Sequence, residues 1–260
     1  MQTGAITSYI DVAQIVLYAF WIFFAGLVYY LLRENKREGY PLIDELSGVA
    51  KVEGYPGVPS KPKGFIQYDG SVFLAPREEK SEVVNGTPIA PWAGAALAPT
   101  GDPMLSGMGP GAYAQHRADL PDHCFDDHGP KIVPLRTQPD FFLATEDPEV
   151  IGMTVHGLDG VQAGTVVDAW LDRSEVVIRY LEVELDAAIG IGRVLLPMNF
   201  MTIKKKLRQI RTNTILAKQF ADVPRTRNPE TVTMLEEEKI LAYYGGGLMY
   251  ATAQRAEPIL

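Results

Sequence analysis

Between Asp11 and Arg33 the sequence reads VAQIVLYAFWIFFAGLVYYLL, 21 residues with no charged side chain and with Gln14 the only clearly polar one. As a helix this run is about 31 Å long, matching a hydrocarbon core of about 30 Å. A signal peptide would show a basic leader, a shorter apolar run and a small-residue cleavage site. Here no basic residue precedes the run, and it ends in RENKRE. A helix in a soluble core would carry a polar stripe, and this one has none. Residues 12–32 therefore read as a transmembrane helix, with Trp21, Tyr29, Tyr30 and Arg33 as its anchor residues. The first ten residues lack Lys and Arg, whereas Arg33, Lys36 and Arg37 follow the span directly. The positive-inside rule then places everything C-terminal to the span in the cytoplasm, with Tyr29 and Tyr30 at headgroup level.

Charge narrows the function. The chain has 260 residues and a net charge of −8, which argues against a nucleic-acid binder. Cys124 is the single cysteine, so there is no internal disulfide framework, in keeping with a reducing compartment.

Residues 33–39 are expected to carry the helix out of the membrane until Gly39 and Pro41 stop it. From 40 to 145 the chain is rich in Pro and Gly, as in YPGVPSKPKG, LAPTGDP and GMGPG, which forbids long helices. Two β-like runs, Gly64–Tyr68 and Ser71–Ala75, flank Asp69-Gly70, a hairpin signal. This stretch is too apolar for a free linker and reads as an extended segment lying on another surface. Beyond 146, Gly164–Leu171, Val176–Leu185, Val194–Leu196 and Ile210–Leu216 read as strands. Leu181, Val183 and Leu185 alternate with Glu182 and Glu184, giving one dry and one wet face. Several short strands at this spacing suggest a small antiparallel barrel. TVTMLEEEKILAYYGGG reads as one helix, started by a Thr233/Glu236 capping box and ended by Gly245–Gly247. The fold class is thus one N-terminal transmembrane helix and a mainly-β domain with one C-terminal helix.

Candidate chemistry is sparse. DLPDHCFDDH gathers His123, Cys124, Asp126, Asp127 and His128. Zinc binding, a solvated acidic loop and a proton-collecting cluster all remain open, although the spacing fits no standard zinc motif. Asp172, Glu175 and Arg179 surround one turn. They form either a surface ion pair worth little or a buried relay in which Arg179 holds carboxylates ionised. Gly190–Arg193 reads as a hairpin turn rather than a phosphate loop. Lys204–Lys206 is a basic run able to touch anionic lipid. No nucleophile elbow, Walker loop or HExxH motif occurs.

Taken in order, RENKREGYPL after the anchor, LAPTGDPM, GMGPGAYA, KIVPLR, GTVVDAWLDRSE with RYLEVEL, and LEEEKILAYYGGGLMYATAQRAE resemble the H subunit of the purple-bacterial photosynthetic reaction centre. The resemblance runs over nearly the whole chain. It implies a PRC-type barrel and a non-enzymatic subunit that binds no pigment. It implies L and M partner subunits carrying bacteriochlorophyll, bacteriopheophytin, quinones and non-haem iron, with light-harvesting antenna and anionic lipid as further contacts. The bacterial inner membrane would hold residues 1–11 in the periplasm and 12–32 as the span. An extended cytoplasmic segment at 33–145 and the barrel domain with its helix at 146–260 would follow. The domain would cap L and M and pass protons to the secondary quinone. Glu175 matches the family's buried glutamate, Asp172 and Arg179 match its neighbours, and Asp126 and His128 fall in the proton-entry stretch. Two other classes compete: a membrane-tethered β-barrel adaptor for a cytosolic partner, and an anchored metalloenzyme using His123, Cys124 and His128.

Overall fold

The computed structural model describes residues 11–39, 42–43, 50–51, 61–77, 84–92, 95–113 and 118–256. The chain divides into two compact units, residues 1–81 with 91–94 and residues 82–90 with 95–260.

The first unit is built on helix α1, Val12–Glu34, about 35 Å long at 1.5 Å per residue. Asp11 caps it: its carboxylate accepts from the Gln14 amide at 2.8 Å, and the Gln14 side chain accepts from the Asp11 amide. The one polar side chain of the span is therefore occupied at its own N-terminus. No residue of α1 is buried by protein. An apolar surface of this length left bare in water would be untenable, and a bilayer solvates it. The helix tightens into a 3₁₀ turn at Asn35–Arg37, and Gly39 sits at φ +71°, a stop as expected; Pro41 lies outside the described residues. Short strands β1 (Leu42–Ile43) and β2 (Ala50–Lys51) pair antiparallel. Strands β3 (Lys63–Ile66) and β4 (Val72–Ala75) form the hairpin that Asp69-Gly70 predicts, with Gly70 at φ +82°.

In the second unit, β5 (Gly86–Pro88) pairs with β6 (Leu97–Pro99). The main sheet comprises β7 (Ile132–Pro134), β8 (Thr154–His156), β9 (Gln162–Asp172), β10 (Val177–Leu185), β11 (Arg193–Pro197), β12 (Met201–Lys204) and β13 (Gln209–Thr212). Its order is β11-β10-β9-β8-β13-β12, with β7 also pairing β9. Helix α2 (Met234–Tyr250) follows. Trp170, Leu181, Leu196, Ile210, Phe220, Ile240 and Tyr244 are fully buried in one cluster, the aliphatic side chains and Phe220 each stabilising the fold by about 1.5–3 kcal/mol. Part of the Pro/Gly-rich stretch joins this unit: Met104, Met108, Ile132 and Val133 are buried in it.

The structure corrects three sequence readings. The sheet is not antiparallel throughout: β13 runs parallel to β8. Parallel neighbours need a long crossover, and the whole β9–β12 meander supplies it. The expected wet face of β10 is only half wet: Glu184 is exposed, but Glu182 is 5% exposed. Arg136 and Arg193 pair with its carboxylate, and the Trp170 indole N–H donates to it at 3.2 Å. Helix α2 does not stop at Gly245–Gly247 but runs to Tyr250. The glycines serve packing instead: a Cβ on Gly247 would lie 2.5 Å from the Thr214 carbonyl oxygen, and one on Gly246 would lie 3.2 Å from the Gly111 Cα.

Candidate functional site

The β9–β10 connection builds the site. Asp172, wholly buried at the end of β9, accepts hydrogen bonds from the amides of Ser174 at 2.9 Å and Glu175 at 3.1 Å. This side-chain turn reverses the chain through Val176 at φ +54°, a costly conformation for a β-branched residue. The Asp172 backbone pairs with Ile132 of β7 on one side and Val177 of β10 on the other, so the end of β9 is flanked by two strands. Arg179 is the extra residue of a β-bulge, since Ile178 pairs with Leu171 and Tyr180 with Trp170. The bulge aims the guanidinium back at the turn. It donates to Asp172 at 3.2 and 3.3 Å and to Glu175 at 3.0 Å. Lys131 approaches Asp172 at 3.7 Å and Asp122 at 3.8 Å. Burial alone would raise the Asp172 pKa. The Glu175 amide, Arg179, the Lys131 charge and the Ser174 amide outweigh it and hold the carboxyl below its ordinary range.

The structure thus brings Asp172, Glu175 and Arg179 together, and the geometry is intermediate between the two readings open from sequence. Asp172 is buried, while the side chains of Glu175 and Arg179 remain 56% and 41% exposed in this chain.

Four members of this cluster were missed from sequence: Asp122, Lys131, Tyr180 and Glu237. The Tyr180 hydroxyl donates to Glu237 Oε2 of α2 at 2.8 Å. Burial raises the Glu237 pKa, the Tyr180 bond opposes that rise, the Asp122 charge adds to it, and Lys131 and Arg179 pull it back. Burial also raises the Tyr180 hydroxyl well above its ordinary value. Glu237 opens on a cleft of about 570 Å³ lined by Pro110, Ala112, Asp122 and Leu241, and on another of about 280 Å³ lined by Arg179, Tyr180, Met198 and Asn199. The signal was present: Glu237 lies three and seven residues before Ile240 and Tyr244, on the apolar face of α2.

Asp126 and His128 are exposed on the loop before β7. Among the described residues neither bonds to Asp172, Glu175 or Arg179. Their loop is nonetheless fastened to the turn. Arg173 pairs with Asp127 and donates to the Pro130 carbonyl at 3.1 Å, and the Ser174 hydroxyl donates to Cys124 Sγ at 3.4 Å. Hydrogen bonds from Arg173 and the Gly129 amide hold the Asp127 carboxyl below its ordinary pKa. Among the described residues no three His, Cys, Asp or Glu side chains converge to hold a metal ion. At the anchor, Arg33 stacks over Tyr29 with 5.7 Å to the ring centre, whereas Trp21 stands mid-helix against Phe20 and Phe24.

A second buried polar cluster lies elsewhere on the sheet. Arg136 joins Asp168 and Glu182 and donates to the Pro229 carbonyl at 2.7 Å. It accounts for the buried Glu182 and carries no visible chemistry.

Comparison with known families agrees with the architecture. Residues 4–137 match the family described as photosynthetic reaction centre, H-chain N-terminal region. Residues 145–219 match the PRC-barrel domain, which fits the mainly-β sheet found there. The matches cover the apolar helix, the Pro/Gly-rich stretch and the sheet that carries Asp172, Glu175 and Arg179. This membrane-anchored chain belongs to the H-chain family of the photosynthetic reaction centre and is a subunit of that complex.

Proposed function

We propose that this chain caps the cytoplasmic face of the L and M subunits and passes protons toward the secondary quinone held by those partners. The span would sit in the inner membrane with its N-terminus periplasmic, as Arg33, Lys36 and Arg37 require under the positive-inside rule. Pigments, quinones and iron would belong to the partner subunits.

The observation that carries the reading is the run of ionisable groups from Glu175 through Arg179 and Asp172 to Lys131 and Asp122, with Tyr180 and Glu237 beside it. Their roles differ by electrostatics. Asp172, held at low pKa, stays anionic and fixes Arg179 and Lys131. Glu237, whose pKa is raised, holds a proton more readily than an ordinary glutamate and donates or accepts through Oε2 or a neighbouring water. Glu175, half-exposed in this chain, becomes a relay group only when a partner surface covers it and excludes bulk water. Asp126 and His128 are the proposed surface collectors, since they stand at the solvent edge of the loop that Asp127 and Cys124 fasten to the turn.

The test is the absorption spectrum of the complex purified through this chain from its native membrane. Near-infrared bacteriochlorophyll and bacteriopheophytin bands that bleach reversibly in light support the reading. A colourless preparation that retains other partners overturns it and leaves the tethered adaptor.

A further inference from the structure

The β3–β4 hairpin has an apolar face that no described residue of its own unit covers. Gly64 and Ile66 pair with Leu74 and Val72, which puts these four residues on one face. Ile66, Val72 and Leu74 are 82%, 61% and 51% exposed, and Tyr68 at the turn is 92% exposed. All four residues of β3 are exposed. A lone two-stranded hairpin is at best marginally stable in water, so a surface must complete this one.

Its open end is fixed to the end of the span. Arg37 donates to the carbonyls of Ala75 at 3.1 Å and Lys61 at 2.8 Å, and Lys63 lies 3.7 Å from Glu34. Arg37 is itself held by Glu34, the last residue of α1. The four-residue strands extend only about 13 Å from that point. Residues 33–39 and 61–77 carry six basic side chains and three acidic ones, in a chain whose net charge is −8. Over the whole of residues 33–81 basic and acidic side chains balance at eight each, so the complement to anionic headgroups is local, in the cations at the end of the span and at the open end of the hairpin.

We infer that the hairpin is a second membrane contact: it lies in the lipid interface beside the end of α1, with Ile66, Val72, Leu74 and Tyr68 toward the acyl boundary and Lys61, Lys63 and Arg77 on anionic headgroups. Apolar side chains at the acyl boundary with cations at the headgroups are the pattern of interfacial elements, and a tyrosine at the tip suits headgroup depth. Asp69 at the turn, held ionised by its hydrogen bonds with Ser71, is the one acidic side chain of the hairpin and must face water rather than headgroups.

The test places a nitroxide on Tyr68→Cys, and separately on Ile66→Cys, in the full-length chain within its native complex, reconstituted in nanodiscs containing phosphatidylglycerol. Cys124 is buried, and unlabelled-site background is read from the parent chain. Collision rates with oxygen, which concentrates in lipid, and with a water-soluble nickel chelate report depth. Oxygen collisions exceeding nickel collisions at both positions are the expected result. Lys61→Gln should shift the partition toward water about fivefold, the equivalent of ~1 kcal/mol per interfacial charge. Nickel collisions dominating at both positions would overturn the inference. So would labels shielded from both reagents, which would mean a protein partner covers the face. Equal depth in purely phosphatidylcholine discs would overturn the anionic-headgroup assignment.

Discussion

Asp172→Asn removes one charge from the centre of the site and little else. The asparagine Oδ1 still accepts from the Ser174 and Glu175 amides, so the turn survives. What disappears is the carboxylate opposite Arg179 at 3.2 Å and Lys131 at 3.7 Å. Removing one partner of a fully buried ion pair costs about 3–5 kcal/mol. Here the side chains of Arg179 and Lys131 are 41% and 26% exposed and rehydrate in part, so the expected loss is about 2 kcal/mol. For a unit of this size that is a fall in Tm of about 4–8 °C. Thermal melting of the full chain in detergent, followed by circular dichroism, reads it directly. Because the Asp172 pKa is lowered on folding, its contribution is present above the ordinary carboxylate range and disappears as pH falls through the lower folded value. The gap between wild type and variant should therefore close under acid. Glu175→Gln, at a half-exposed side chain, should change stability by less than about 0.5 kcal/mol. A Tm for Asp172→Asn no lower than that of Glu175→Gln would refute this electrostatic account of the turn.

Three further outcomes follow from the geometry. Glu237 has a raised pKa, so its stabilising contribution is fully present below the ordinary glutamate value and is lost as pH rises through the folded one; Glu237→Gln should gain stability over wild type in melts at alkaline pH and lose that advantage in acid. Gly247→Ala should destabilise by about 1–3 kcal/mol, because its Cβ meets the Thr214 carbonyl, whereas Gly245→Ala, 3.5 Å from the nearest atom, should gain up to about 1 kcal/mol in denaturant titrations. Arg136→Met leaves Asp168 and Glu182 buried without their shared cation and should cost about 3 kcal/mol by the same measurement.

The parts of the molecule set by local patterns were readable in the sequence. The span needed only an uncharged run of sufficient length, the β3–β4 hairpin only Asp-Gly between β-like runs, and the start of α2 only Thr233 with Glu236. The strand pairs around 164–185 and 193–197 followed from alternation and turn residues. The short strands β7, β8 and β12 escaped because three or four residues carry too little periodicity. The misread features depended on distant neighbours. Gly245–Gly247 looks like a stop signal until the backbones of Gly111 and Thr214 are seen against it. Glu182 looks solvent-facing until Arg136, 46 residues away, covers it. Burial of Asp172 depends on β7 pairing alongside β9, and the link from Tyr180 to Glu237 spans 57 residues.

Flash-induced proton uptake reads whether the Glu175–Glu237 region passes protons toward the quinone. A pH-indicator dye is followed after the second of two flashes in complexes carrying the wild-type chain or the Glu175→Gln/Glu237→Gln double variant. Uptake slowed by about a hundredfold or more in the double variant, the scale of losing a positioned proton donor, with pigment bands unchanged, is the expected result. Uptake at the wild-type rate in intact double-variant complexes would contradict it.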